Sequence, residues 1–318
     1  MVPQMIDVGW QGWALFNGAI LFMLLLDLGV FNKKAEKVSV RSALLWSTFW
    51  IVLSLSFNGW VYHTFGQEKG LEFLAGYILE KSLSVDNLFV FLLIFSYFKV
   101  PPEVQHRVLF FGIIGALVLR GVFIYLGATL VHQFHWVLYL FGAFLVFSGF
   151  KLLFMGDDDD QNPENLIVKA AKKRLKLTED FRGDKFFIVE NGKRLATPLF
   201  LVLIAIETSD VLFAVDSIPA IFGVTEDTFI VYTSNVMAIL GLRALYFALA
   251  GLLEYFHYLN YGLAAVLIFI GAKMLGENYF ELGIVSELVV IATILTASIL
   301  ASIIFPKKNT EENSVESI

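Results

Sequence analysis

Residues 197–222 read TPLFLVLIAIETSDVLFAVDSIPAIF. A bilayer is crossed by about 20 largely apolar residues in a helix, so this run is long enough to span one. It nevertheless carries Glu207, Asp210 and Asp216. An acid at the centre of a membrane helix costs roughly 2.5–3.5 kcal/mol to insert, so each of the three needs a reason to be there. Outward from this stretch lie eight comparable runs, near 10–31, 42–64, 72–98, 106–130, 135–155, 228–252, 258–276 and 284–305. Apolar residues make up 58 % of the chain and charged residues 16 %, against roughly 45–50 % and about 25 % in soluble domains. The mean hydropathy is +0.73. The runs are continuous and do not alternate apolar with polar, which argues against a β-barrel. Helices are then what satisfies the backbone in lipid. The expected fold is an all-α polytopic transmembrane bundle of about nine spans.

The basic residues orient it. Seventeen Lys and Arg fall in one set of alternate loops, including Lys33, Lys99, the nine from Lys169 to Arg194, and Lys307, whereas the opposite set holds only Lys69. Basic loops stay in the cytoplasm, so the N-terminus is expected outside and the C-terminus inside. No Lys or Arg precedes the first span, so it lacks the basic start of a secretory signal and reads as a retained helix. The chain has no cysteine, which excludes disulfides and thiolate metal ligands. Nothing in it points to nucleic acid.

An internal repeat organises the middle of the chain. DNLF at 86–89 matches DVLF at 210–213, ALVLRGVFIYLG at 116–127 matches ILGLRALYFALA at 239–250, and FSGFKLL at 147–153 matches FIGAKML at 269–275. The order is kept, with Arg120 over Arg243 and Lys151 over Lys273. Each copy contains three spans, so the two copies must be inverted, as in many secondary transporters with a site between the halves. The expected organisation is two N-terminal spans (1–71), a first three-helix repeat (72–155), a polar cytoplasmic linker (156–196), a second, inverted repeat (197–276), and a last span with a tail (277–318). The linker opens with Asp157–Asp160, best read as solvated, then offers a short basic helix at 168–177 and a hairpin around Asn191-Gly192. Lys151 and Lys273 are expected to snorkel to opposite interfaces.

Six carboxylates fall inside spans: Asp27, Glu80, Asp86, Glu207, Asp210 and Asp216. Five of them, all but Asp27, concentrate in the first helix of each repeat; left unpaired they would cost about 15 kcal/mol, comparable to a domain's whole stability. Lys81, Arg120 and Arg243 are the in-span cations that can offset them, and the two arginines read as structural counter-charges; protonation or a bound metal are the other routes. Glu207 and Asp210 share a helix face, as do Glu80, Ser84 and Asn87. Asp86 and Asp216 point about 120° away from Glu80 and Asp210 respectively. A break near Pro219 would let such acids gather on one polar cavity, with Asn58 and Asn235 adding amide oxygens. The histidines, at 63, 106, 132, 135 and 257, lie in loops or near span ends. A site of carboxylates, amides and hydroxyls suits Mg²⁺, Ca²⁺ or Mn²⁺ better than Zn²⁺ or Cu⁺.

The segments LEKSLSVDNLFVF (79–91), LIAIETSDVLFAVDSIPAIF (203–222) and TSNVMAILGLRALYF (233–247) give the chain a resemblance to the TerC family of bacterial membrane proteins, its Alx-type members especially, within the LysE-like transporter superfamily. The resemblance covers about residues 10–305. It implies an inner-membrane protein that exports manganese from the cytoplasm, in a family associated with alkaline induction, tellurite resistance and metal supply to exported enzymes. By position, it implies metal-site roles for Glu80, Asp86, Glu207, Asp210 and Asp216. The reading from the sequence is a secondary transporter, coupled to protons if a ligand carboxylate is protonated on release, with the metal as cargo and no tightly bound cofactor. The alternative is a non-transporting membrane scaffold for metal or tellurite resistance. An intramembrane hydrolase is the enzymatic reading, but Tyr-Asp, Gly-x-Gly-Asp and Gly-x-Ser-Gly motifs are absent, so no enzyme is expected.

Overall fold

The computed structural model describes residues 5–31, 40–154, 166–190, 192–249, 258–276 and 282–305; the side chains of Asp27 and Asp86, and the whole of Asp157–Asp160, lie outside the described residues. Helices dominate. In order they are α1 (Gly9–Phe31), α2 (Val40–Phe65), α3 (Gln67–Tyr97), α4 (Pro102–Gln133), α5 (Val137–Phe154), α6 (Leu166–Arg174), α7 (Pro198–Phe222), α8 (Thr228–Ile239), α9 (Leu242–Leu249), α10 (Leu259–Leu275) and α11 (Ile284–Ile304). A hairpin of β1 (Phe187–Glu190) and β2 (Lys193–Ala196) lies between α6 and α7, with Phe187 opposite Ala196 and Glu190 opposite Lys193. Its turn contains Gly192 at φ +71°, a conformation that glycine adopts without steric cost. Asn191 lies outside the described residues.

Among the described residues, six helical stretches are long and apolar enough to cross a membrane: Arg41–Phe65, Pro102–Gln133, Val137–Phe154, Pro198–Phe222, Thr228–Ala248 and Ile284–Ile304. Gly9–Leu25 and Leu259–Leu275 are apolar but shorter. Helix α3 runs for 31 residues, but Glu72, Glu80, Lys81 and Asp86 lie along it. The chain is thus a polytopic helical membrane protein.

The most enclosed of the six is Thr228–Ala248, with 78 % of its apolar window buried against 22–44 % for the others. In α8 the buried face includes Thr233, Ser234 and Asn235 as well as Phe229, Ile230 and Val236, so the helix is enclosed all round. Helices α3 and α4 both pack against it, and α3 and α4 also meet α7. Small residues permit these approaches: a Cβ on Gly76 would come within 2.8 Å of Ser234 Oγ. The α5–α10 crossing is closer still. A Cβ on Gly142 would lie 2.9 Å from the Gly271 carbonyl, and one on Gly149 would lie 2.8 Å from the Ala264 carbonyl. As α5 advances from 142 to 149, its partner retreats from 271 to 264, so the two helices run antiparallel. Close backbone approach at small residues is how membrane helices gain packing energy without a hydrophobic drive.

Two helix boundaries depart from the sequence reading. Helix α7 is continuous through Pro219 and ends at Phe222; proline in the last turn removes a hydrogen bond where few remain to be lost. The interruption falls instead in the expected span 228–252, between α8 and α9, where Gly241 takes φ +81°. That conformation frees carbonyls at the end of α8. Lys81 Nζ donates to two of them, Ala238 O at 3.0 Å and Leu240 O at 3.4 Å. Lys273, in the last turn of α10, places its ammonium 2.5 Å from Glu287 and donates to the Gly223 carbonyl at 2.9 Å.

Candidate functional site

Three of the helices that carry the intramembrane charges meet at Arg120. The guanidinium is 1 % exposed and among the largest fully buried side chains. Its Nη1 donates to Glu80 of α3, and its Nη2 and Nε donate to Asp210 of α7 at 3.2 and 3.5 Å. Nη1 also reaches Ser217 Oγ at 3.3 Å. Glu80 and Asp210 are 2 % and 4 % exposed. Asn235 of α8 donates its Nδ2 to Glu80 Oε2 at 2.9 Å. Arginine suits this position because its planar fork reaches two carboxylates at once and stays charged in a dry interior.

The cluster is not saturated. Asn235 Oδ1 and Ser84 Oγ are buried without a hydrogen-bond partner among the described residues, and so are Glu207 Oε2 and, on α2, Asn58 Oδ1. Buried oxygens normally have partners. Carboxylate, amide and hydroxyl oxygens of this kind are the donor type that hard divalent cations take.

The sequence expectation that five acids gather on one cavity is not met among the described residues. No group of three or more acidic, His or Cys side chains placed to hold a metal ion occurs among them. The reason is the continuity of α7. Glu207 and Asp210 face α4, and the Glu207 carboxylate fills the space beside Gly115, where any Cβ would collide with it. Asp216, six residues beyond Asp210, points to the other side and accepts a hydrogen bond from Ser148 Oγ of α5 at 2.8 Å. Asp86 lies on α3, but its side chain is outside the described residues. Arg243 is buried at 7 % exposure on α9, and Asn87 is buried at 2 %.

A cavity of about 360 Å³ joins the two settings. Arg120, Ser217 and Asn87 line it together with Asp216, Ser148 and Lys151. Ser148 and Ser217 were missed by sequence reasoning. Both sit inside segments already singled out, FSGFKLL and AVDSIP, and hydroxyls within three residues of a motif charge were the available signal.

Family comparison adds to this geometry. Residues 65–310 match the family model described as integral membrane protein TerC family. The chain belongs to the TerC family. An uncharacterized membrane protein of Myxococcus xanthus is 50 % identical over 299 residues, covering 94 % of each chain. Two TerC relatives provisionally named membrane-bound redox modulator Alx are similar over nearly their whole length. The protein from Photorhabdus laumondii is 47 % identical over 95 % of this chain and 97 % of its own, and that from Escherichia coli K12 is 46 % identical over 91 % and 92 %. No solved structure matches this chain.

Proposed function

We propose that the protein is a secondary transporter that exports divalent manganese from the cytoplasm, with Glu80 and Asp210 at the centre of its cation site. The observation that carries this reading is the buried Glu80–Arg120–Asp210 cluster with unpartnered oxygens beside it. The carboxylates and the guanidinium satisfy one another, but Asn235 Oδ1 and Ser84 Oγ next to them are left without partners, and buried oxygens normally have them. Charged groups inside a membrane bundle mark ion pathways by default. Asp216 and Ser148 are the way-station in the adjoining cavity, and Glu207 and Asp86 are further carboxylates of the pathway. Mg²⁺ and Ca²⁺ share the same ligand preferences, and manganese is favoured by the family resemblance.

In this proposal six of nine spans form two inverted three-helix repeats in the bacterial inner membrane, with the N-terminus outside. The α5–α10 crossing supports it. Under the sequence repeat, Gly142 is equivalent to Ala264 and Gly149 to Gly271, so the contact Gly142–Gly271 maps onto the contact Ala264–Gly149. Reciprocal contacts of this kind are the signature of a two-fold axis. The antiparallel run places that axis across the helices, as inverted repeats require.

The name of the Alx relatives suggests a redox role. This chain has no cysteine, so no such role can run through its own thiols. The deciding experiment is uptake into proteoliposomes containing only the purified full chain, with Mn²⁺, Ca²⁺, Mg²⁺ and Zn²⁺ compared under an imposed pH gradient. Protein-dependent Mn²⁺ flux is expected. Absence of flux for every cation would replace transport with the scaffold reading.

A further inference from the structure

We propose that Arg120 is a tethered stand-in for the transported cation: it holds the carboxylates of the site whenever no cation does and must leave them for the metal to bind. The inference rests on the transport reading and deepens it. The fork of Arg120 already satisfies the carboxylates of Glu80 and Asp210, so a metal ion cannot use them while it stays. Retaining both would place a guanidinium and a divalent cation side by side in a buried site, where like charges repel strongly. Exchange avoids this, because a divalent cation between two carboxylates is electrically balanced without the arginine. The structure also offers the arginine somewhere to go. Arg120 lines the cavity of about 360 Å³ that contains Asp216 and Ser148, and Nη1 already leans on Ser217, the residue after Asp216. Around the vacated position, Asn235 Oδ1 and Ser84 Oγ are buried oxygens without partners. They are acceptors that a guanidinium bonded elsewhere does not use and a metal would.

The stand-in has a function. Two bare carboxylates could not cross a conformational change in a dry bundle without a cation or protons. With Arg120 in place the unloaded protein can reorient and repeat the cycle. Removing the charge should therefore separate two activities that a merely structural arginine would lose together.

The test uses the full chain in detergent and in proteoliposomes at pH 8, with Mn²⁺ as the probe. Because the competitor is removed, Arg120→Gln should bind Mn²⁺ on the order of tenfold more tightly than wild type. It should keep Mn²⁺/Mn²⁺ exchange while net efflux falls by a similar factor. Arg120→Lys, which keeps the charge, should stay closer to wild type in both. Independently of any variant, Mn²⁺ should increase modification of Arg120 by phenylglyoxal in the wild-type protein, read by peptide mass spectrometry. If wild type transports Mn²⁺ but Arg120→Gln binds it no more tightly, or Arg120 becomes no more reactive, the stand-in is overturned and the transport reading survives. If Arg120→Gln does not fold, the phenylglyoxal result decides alone. If wild type neither binds nor moves Mn²⁺, both readings fall.

Discussion

Two buried ionic networks lie in this bundle, and they differ in how completely they are satisfied. The first is the Arg120 cluster. The second sits where α3 begins and α7 ends: Lys69 Nζ lies 3.0 Å from Glu72 and 3.3 Å from Asp227. There Thr225 donates to Glu72 at 2.6 Å, the Ile6 amide donates to Asp227 at 2.8 Å, and Asp227 also caps α8 by accepting from the amides of Phe229 and Ile230. Glu287 and Lys273 form a further pair where α10 meets α11. Both networks are buried, and both join α3 to α7 or to the connection that follows it. Among the described residues, Asn235 Oδ1 and Ser84 Oγ near the first network are buried without a partner, and no side-chain atom of the second network is. A satisfied network suits the work of holding helices together, and the stranded oxygens beside the other are what the transport proposal assigns to the cation.

This contrast can be broken most directly at Asp210. Asp210→Asn keeps the shape and removes the charge, and Mn²⁺ efflux is expected to fall roughly a hundredfold or more, with membrane insertion unchanged. Wild-type efflux by a folded Asp210→Asn protein would return the cluster to a packing role. Lys69→Met addresses the other network. It strands two buried carboxylates, so thermal unfolding in detergent should reveal a loss of about 3–5 kcal/mol, while efflux per folded molecule is retained. A variant of normal stability that no longer transports would show the assignment of roles to be reversed. A smaller effect is expected at the α5–α10 crossing. Gly271→Ala brings a Cβ to within 2.6 Å of the Gly142 carbonyl, and overpacking of this kind costs about 1–3 kcal/mol; an unchanged melting temperature would remove the crossing as a tight contact. The mildest change is Ser148→Ala. Loss of its hydrogen bond to Asp216 is worth about 1 kcal/mol, which corresponds to a few-fold slower efflux, and no change in rate would take Asp216 off the pathway.

Much of the candidate site was legible in the linear chain because charge in a span is conspicuous. Glu80, Asp210 and Arg120 stand out from the apolar residues around them, and the repeat ties Arg120 to Arg243. What could not be read was partnership. Lys81 is adjacent to Glu80 in sequence, yet it serves the carbonyls released at Gly241, while the cation on Glu80 comes from a residue 40 positions away. Pro219 drew the expected helix break because proline is the louder signal. A glycine able to take positive φ, with a lysine at hand to satisfy the freed carbonyls, interrupted α8–α9 instead.

Within each helix the 3.6-residue period determines which side chains share a face, but only the continuity of α7 through Pro219 decided that Asp216 and Asp210 stay on different ones. The sequence also determined the membrane class, from apolar runs that only helices can carry through lipid, and the positions of the charges that need a reason. The crossing of packed helices decided which of those charges meet. Arg120 reaches Glu80 and Asp210 only because α4 lies against α7 and against α8, which itself packs on α3. Such contacts join residues far apart in the chain, and no local pattern encodes the angle at which two helices cross.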